Sequence, residues 1–121
     1  MVTIARFEEI EAWQTARLLT REVYLVSGSG VFAKDFGLRD QMRRAAVSVL
    51  SNIAEGYESR TQALFINYLG QAKGSAGEVR AQLYVALDVG YLNSDQFTTL
   101  SDLADKASRQ IARFMDYLAS R

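Results

Sequence analysis

Residues 38–57 read LRDQMRRAAVSVLSNIAEGY, and this stretch decides the fold. Apolar side chains recur along it at steps of three and four residues. They are Leu38, Met42, Ala45, Val49 and Ile53. Because an α-helix turns once in about 3.6 residues, this spacing places all of them on one face. We predict an amphipathic helix over residues 35–56, with Gly56 as its terminator.

Three further segments carry the same helical spacing. They are residues 9–26, 60–89 and 94–119. The first ends at residues 27–30, SGSG, because these small and flexible residues compete with a helical backbone. Residues 1–8 precede the helices, and we expect them to form an N-terminal arm that is either mobile or a strap.

Residues between the segments predict how the helices begin and end. Ser59, with Gln62 three positions later, suits the start of the third helix. Asn93 and Gln96 repeat this capping pattern before the fourth. Gly90 suits the left-handed conformation that closes a helix. Since these connections are short, we expect consecutive helices to run antiparallel.

The composition agrees with a helical chain. It contains no proline, and 49% of its 121 residues are apolar. One domain of this length buries about two-thirds of the surface that its unfolded chain exposes. The predicted fold is an all-α, antiparallel up-down-up-down four-helix bundle that spans residues 1–121 as a single domain.

The composition also removes many kinds of chemistry. The chain has neither cysteine nor histidine, so it lacks thiolate nucleophiles, sulfur ligands and the usual general base near neutral pH. We therefore expect no enzyme activity, no cofactor and no metal site. Fourteen basic and fourteen acidic residues cancel, so no overall field draws the protein to nucleic acid or an anionic membrane. Without a signal peptide or a membrane-spanning apolar run, we expect a cytoplasmic protein.

Glycines in the third segment predict close helix packing. Gly70, Gly74 and Gly77 each cost about 1 kcal/mol relative to alanine inside a helix. The run GQAKGS at residues 70–75 superficially resembles a phosphate loop, but its lysine precedes the second glycine and it lies in a helical pattern. We expect another backbone to approach these glycines, either to set the spacing inside the bundle or to join subunits.

The densest group of basic residues lies near the start of the second helix. Lys34, Arg39, Arg43 and Arg44 form this group, which we call the basic cluster. These side chains could bind RNA phosphates. However, no aromatic platform is interleaved with them as base stacking would prefer, and neighbouring aspartates favour a solvated face of mixed charge.

Other polar and aromatic residues are better interpreted as structural. We expect Asn52 and Glu55 to bond across a helix interface or to hold the turn after Gly56. Glu55 and Glu58, or Glu8 and Glu11, could offer paired carboxylates to a metal, but di-iron sites in helical bundles typically add the histidine that this chain lacks. Trp13 is expected to anchor the core from the first helix.

Apolar residues on the first and third helices exceed what one core-facing stripe requires. The additional residues are Leu18, Leu19, Val26, Leu64, Ile66, Tyr84, Val85 and Leu87. Such wide apolar surfaces are expected to be buried against another subunit. We therefore predict a homo-oligomer.

With these residues in view, the chain resembles the bacterial family of 23S ribosomal RNA intervening-sequence proteins over nearly its whole length. The motifs that carry the resemblance lie in the first three helices and in the turn that follows them. They are residues 11–16 with Trp13, Leu38, residues 40–41, residues 43–45, Ser48, Asn52, Ile53, Ala54, Glu55, Gly56, Tyr57, residues 68–69, Ala72, Gly74, Ser75, Glu78 and residues 90–92.

The resemblance implies a four-helix bundle and, as in relatives, a homopentameric ring. The fivefold symmetry is inherited from the resemblance alone. A related branch, the accessory variability protein of diversity-generating retroelements, binds nucleic acid through a strongly basic surface, from which this neutral chain departs. The chain also has Val49 and Leu50 where the family often has isoleucine and proline, so we expect a straighter second helix.

Two functions remain open from the sequence. The first is a non-enzymatic homo-oligomeric scaffold or adaptor. The second is RNA or ribonucleoprotein binding. In that case the basic cluster is repeated around the oligomer, so that several weak sites together give a higher overall affinity. Arginines gathered on one exposed face would favour RNA binding. Arginines paired with Glu55 or Glu78 between helices would favour the structural role.

Overall fold

The structure is a computed structural model that describes residues 4–121. Within this part of the chain there are four long helices and no strand, which confirms the all-α prediction. The helices are α1 (Glu11–Val26), α2 (Phe36–Glu58), α3 (Gln62–Asp88) and α4 (Ser94–Ala119), with short 3-10 helices at Phe7–Glu9 and Phe32–Lys34. None of the helices in residues 4–121 combines the length and apolar character that a membrane span requires.

The part of the N-terminal arm that the structure describes is a strap. The first three residues of the arm lie outside the described residues. Ile4 and Phe7 pack against buried core residues, and the Tyr57 hydroxyl donates a hydrogen bond to the Ile4 carbonyl oxygen at 3.0 Å. The rings of Phe7 and Trp13 meet edge to face, with centroids 5.2 Å apart. From Ile4 onward the strap is therefore fastened to α1 and α2.

The turn between α3 and α4 follows the sequence prediction. Gly90 has a φ of 83°, which confirms the left-handed conformation expected there. The Tyr91 amide donates to the Ala86 carbonyl oxygen at 2.8 Å and so satisfies the last turn of α3. Asn93 and Gln96 form the predicted capping box at the start of α4.

The turn between α2 and α3 differs from the prediction that Ser59 caps α3. Thr61 is the cap, because its Oγ1 accepts a hydrogen bond from the Leu64 amide at 3.1 Å. The Ser59 hydroxyl instead donates to the Gly56 carbonyl oxygen at 2.6 Å and helps to end α2. Both serine and threonine are good caps, and the residue that fills the role is the one immediately before the first turn of α3.

Gly56 is a packing residue and does not terminate its helix. α2 continues to Glu58, so the predicted end at Gly56 is wrong. A Cβ added to Gly56 would lie 2.8 Å from Phe65 Cδ1 and 2.9 Å from Tyr68 Cβ. The missing side chain is therefore what lets the start of α3 lie against α2.

The core lies between the helices in two adjoining clusters of buried side chains. α1 and α3 each pack against both α2 and α4, and the contact between α2 and α3 is the most extensive. One cluster includes Phe32, Met42, Leu83, Leu92 and Leu100, and the other includes Ile10, Ile53, Leu69, Ile111 and Leu118. α1 and α3 consequently occupy diagonal positions in the bundle, and each has one face that is directed away from the core toward solvent.

Candidate functional site

Arg43 binds the end of α1. Its Nε donates a hydrogen bond to Ser27 Oγ at 2.9 Å, and its Nη2 donates to the Tyr24 carbonyl oxygen at 3.4 Å. The guanidinium carbon also lies 4.4 Å from the centre of the Tyr24 ring. Since the carboxyl end of a helix carries partial negative charge, it favours a cation at this place. Arg43 therefore fastens α2 to the end of α1.

Arg39 is held in a similar way. Its Nε donates to Asp40 Oδ1 at 2.9 Å, its Nη1 donates to the Ala33 carbonyl oxygen at 3.0 Å, and its guanidinium lies 4.8 Å from the centre of the Phe36 ring. The hydrogen bond from Arg39 is the main reason that the pKa of Asp40 is lowered; desolvation opposes the shift, and the charges of neighbouring arginines, including Arg44, add to it. Arg39 thus connects α2 to the loop before it.

The other two members of the basic cluster are exposed. Within residues 4–121, Lys34 and Arg44 form neither a hydrogen bond nor an ion pair with another side chain. Arg44 borders an open groove of about 570 Å³. The groove is lined by Tyr24, Asp40, Arg43, Arg44, Val47 and Ser48. The structure therefore divides the cluster into two residues with partners in the chain and two directed toward solvent.

A polar contact joins the middle of α2 to α3. Ser48 Oγ and Ser75 Oγ lie 2.9 Å apart, within hydrogen-bond distance. Asn52 Nδ2 donates to both the carbonyl oxygen and the Oγ of Ser48, each at 2.9 Å. Within residues 4–121, Asn52 itself makes no hydrogen bond across the interface; it bonds to Ser48, and Ser48 makes the contact with α3. The partner across the interface, Ser75, could not be assigned from the sequence.

The carboxylates of Glu55 and Glu78 do not pair with arginine. Both residues are exposed. Glu78 Oε2 accepts a hydrogen bond from Gln82 Nε2 at 3.2 Å within α3, and within residues 4–121 Glu55 has no hydrogen-bond or ion-pair partner. The bond across the interface that we expected of Glu55 is absent from this part of the chain. Nor do residues 4–121 place three or more acidic side chains where they could hold a metal ion.

Trp13 is half-buried and lies where the strap meets α1. Its ring contacts Phe7, and the guanidinium carbon of Arg17 lies 5.8 Å from the ring centre. Its Nε1 atom is buried and has no hydrogen-bond acceptor within residues 4–121. Trp13 therefore packs at the edge of the core with the strap against it.

Within residues 4–121, Gly74 and Gly77 do not lie against another helix, so the packing inside the bundle that the sequence left open for them is not found. Within residues 4–121, a Cβ added to Gly74 or Gly77 would meet no atom within 4 Å, and at Gly70 it would meet Met115 Cε at 3.8 Å. These glycines belong to an outer stripe that we call the α3 seam, in which residues alternate at steps of four and three. The seam comprises Ala63, Asn67, Gly70, Gly74, Gly77, Ala81, Tyr84 and Asp88.

A groove with a volume of about 790 Å³ lies between the strap and the carboxyl end of α4. Its walls are mainly apolar and aromatic, with Ile10, Tyr57, Phe65 and Phe114 among them. Asp40, whose pKa is shifted, does not line it. Asp40 instead lines the other groove, beside Arg43 and Arg44.

Comparison with known proteins bears on the family and the fold. The sequence model of a protein family described as 23S rRNA-intervening sequence protein matches residues 8–113. No curated protein matches the chain. A solved structure of a protein of unknown function from the S23 ribosomal protein family, from Bacteroides thetaiotaomicron, has a TM-score of 0.80, with 21% identity over 87% of this chain and 95% of that chain. At that identity the likeness supports the fold, and neither match points to catalysis.

Proposed function

The chain belongs to the 23S rRNA-intervening sequence protein family, and from that premise we propose that it is a non-enzymatic, homo-oligomeric scaffold or adaptor. Its four helices run up-down-up-down in this proposal. Copies assemble into a ring, five in number as the family resemblance implies. What the protein supplies to the cell is then a shaped surface for a partner.

Contacts along α2 and α3 support the alternating direction of the helices. Gly56, near the end of α2, lies against Phe65, near the start of α3. Ser48 lies earlier in α2 and contacts Ser75, which lies later in α3. Pairs whose sequence positions move in opposite directions are expected of antiparallel neighbours.

The α3 seam supports the proposal that copies associate, because its glycines leave part of the helix surface without side chains. Gly74 and Gly77 each make the helix less stable than alanine would, by about 1 kcal/mol. Within residues 4–121 no atom lies close enough to explain why a side chain is missing there. A helix of another copy would explain it, because small residues allow backbones to approach closely. Tyr84 and Val85, which are 57% and 49% exposed, extend the same surface in apolar form.

The described geometry gives less support to RNA binding. Arg39 and Arg43 are engaged with main-chain carbonyl oxygens, and their guanidinium groups lie against aromatic rings. They hold α2 to its neighbours, and Arg43 also lines the open groove beside Arg44. Lys34 and Arg44 alone offer little attraction to phosphates in a chain of zero net charge.

Light scattering coupled to size exclusion tests the proposal. At micromolar concentration we expect a mass near five times the 13.5 kDa of one chain. A monomeric mass would refute the scaffold. RNA binding is tested in parallel by fluorescence anisotropy at low and moderate salt. Salt-dependent binding that Arg44→Glu abolishes would support the RNA-binding function instead, whereas the scaffold proposal expects the same signal from both proteins.

A further inference from the structure

We propose that copies of the chain associate head to tail, with the α3 seam of one copy packed against the outer face of α1 on the next copy. This inference rests on the proposed function, because it names the two surfaces through which the scaffold assembles. The outer face of α1 comprises Arg17, Leu18, Arg21, Tyr24 and Leu25.

Six of the eleven exposed large apolar side chains in residues 4–121 lie on these two helices, and the other five are Val31, Phe36, Val47, Val89 and Tyr117. Those on α1 are Leu18, Tyr24 and Leu25, and those on α3 are Leu64, Tyr84 and Val85. By contrast, the outer face of α4 is mainly charged. Its exposed residues include Asp102, Lys106, Arg109, Arg113 and Asp116. Exposed apolar surface of this kind marks contact with another protein, and here it occurs on two separate faces.

The positions of the two faces favour a head-to-tail contact over a two-fold contact. α1 and α3 each pack against α2 and α4, so their outer faces lie on opposite sides of the molecule. A two-fold contact through either face alone would leave the other face uncovered. A heterologous contact that joins one face to the other covers both, and it closes into a ring when the rotation between copies permits. The occupant of the α3 seam is therefore a second copy of this chain.

The two faces also complement each other in shape. Along the seam, Gly70, Gly74 and Gly77 leave a shallow trough because they have no side chains. On α1, Leu18 and Leu25 project into solvent with 44% and 59% of their surface exposed. The steps of four and three along the seam are those at which one helix receives the side chains of another. Bulky residues of α1 can thus fill the trough.

The charges of the two faces also favour contact between the α1 face and the α3 seam. The exposed ionisable residues of the α1 face are Arg17 and Arg21, with the half-buried Glu22 at its edge, whereas the seam contains Asp88. At the edges of the seam, Glu78 balances Lys73, and Arg80 is paired with Asp105 of α4 at 4.0 Å. Contact between the faces therefore joins positive charge to negative, while a contact of the α1 face with itself would bring arginines together.

Cross-linking tests the arrangement, and the absence of cysteine makes it direct. Leu18→Cys and Ala81→Cys place one thiol on each face, and Asp102→Cys on α4 is the control. Two variants are unfolded and refolded together and then treated with a short bis-maleimide, which tolerates a shift in register. We expect a cross-linked dimer from the mixture of Leu18→Cys and Ala81→Cys, and none from Asp102→Cys mixed with either.

The outcomes separate the inference from the proposed function. Cross-linking of Ala81→Cys with itself, or an assembled protein in which Leu18→Cys and Ala81→Cys do not react together, would overturn the head-to-tail contact and leave the scaffold intact. A monomeric mass for the wild type would overturn the scaffold as well.

A bulky substitution in the seam supplies an independent measurement. Gly77→Leu should shift the mass to that of a monomer while the helical circular dichroism persists, since the glycine has no neighbour within the described chain. Gly37→Leu, at another exposed glycine and outside the seam, should assemble as the wild type does. If Gly77→Leu keeps the full mass, the seam is not the interface.

Discussion

Replacement of Gly56 by alanine is expected to destabilise the protein, although alanine is the better helix former. The new Cβ would lie 2.8 Å from Phe65 Cδ1, 2.9 Å from Tyr68 Cβ and 3.3 Å from the Phe65 carbonyl oxygen. Carbon atoms in contact prefer about 3.5–4.0 Å. The ring of Phe65 can turn away, but Tyr68 Cβ is attached directly to the backbone of α3. The two helices must therefore move apart locally.

Two opposing effects set the size of the change. Alanine gains about 0.5–1 kcal/mol over glycine from helix propensity. Forcing an additional methyl group into a packed interface costs about 1–3 kcal/mol. The upper part of that range applies, because Phe65 also contacts the rings of Tyr57 and Phe114, with centroids 6.1 and 5.4 Å away. We expect a net loss of about 1–2 kcal/mol in the free energy of unfolding.

Urea unfolding followed by circular dichroism measures this loss. Gly37→Ala is the matched control, since it is the same substitution in the same helix, and its Cβ would lie 3.8 Å from Asp35 Oδ1 in ordinary contact. The control should be unchanged or slightly more stable. All proteins are compared at one concentration, because association shifts apparent stability. If Gly56→Ala unfolds at the same urea concentration as Gly37→Ala or above it, the packing argument is wrong.

Three other changes address the helix ends. Arg43→Gln removes the hydrogen bonds to the end of α1 and should lower the free energy of unfolding by about 1–2 kcal/mol. Arg44→Gln is the control and should change the free energy of unfolding by less than about 0.5 kcal/mol. Urea unfolding compares the two variants. Thr61→Ala removes the cap of α3 and should cost about 1 kcal/mol in thermal unfolding, and an unchanged midpoint would contradict the capping role. Tyr91 donates a hydrogen bond to Asp35 at 2.9 Å, which raises the pKa of Tyr91. The stability from this bond is complete below the unfolded pKa and is lost as pH rises through the folded pKa. A phenolate absorbance titration should give a lower pKa for Tyr91 in Asp35→Asn than in the wild type.

Local features of the sequence were enough to predict the four helices. Periodic apolar residues and the pair Asn93 and Gln96 act within a few residues, so their effects do not depend on the rest of the fold. The choice of Thr61 over Ser59 was missed because both residues are good caps. That choice depends on where α3 must begin to reach α4, as the hydrogen bond from Gln62 to the Leu118 carbonyl oxygen illustrates.

The sequence left two positions open for the glycines of α3, inside the bundle or between subunits, although it contained a signal against the first for Gly74. The helical spacing of α3 places Ala72, Ala76 and Val79 on its inward face, and all three are buried. Gly74 is two residues from Ala72 and from Ala76, so it falls on the opposite side of the helix. The same periodicity that located the core could have placed this glycine outside. No comparable signal connected Arg43 to Ser27, because such a contact exists only after α1 and α2 have packed.

The contrast between Gly56 and Gly77 explains why architecture is easier to derive here than function. Gly56 has a purpose within the chain, since a side chain there would meet α3. Gly77 lowers helix stability and has no neighbour in residues 4–121 that would benefit. As an isolated monomer the chain would be more stable with alanine at that position. A sequence that places glycine on a bare outer face, opposite a helix with exposed leucines, is better suited to an assembly than to a single copy. Gly77 has no packing role within residues 4–121, and this is part of the reason that we propose contact with another copy.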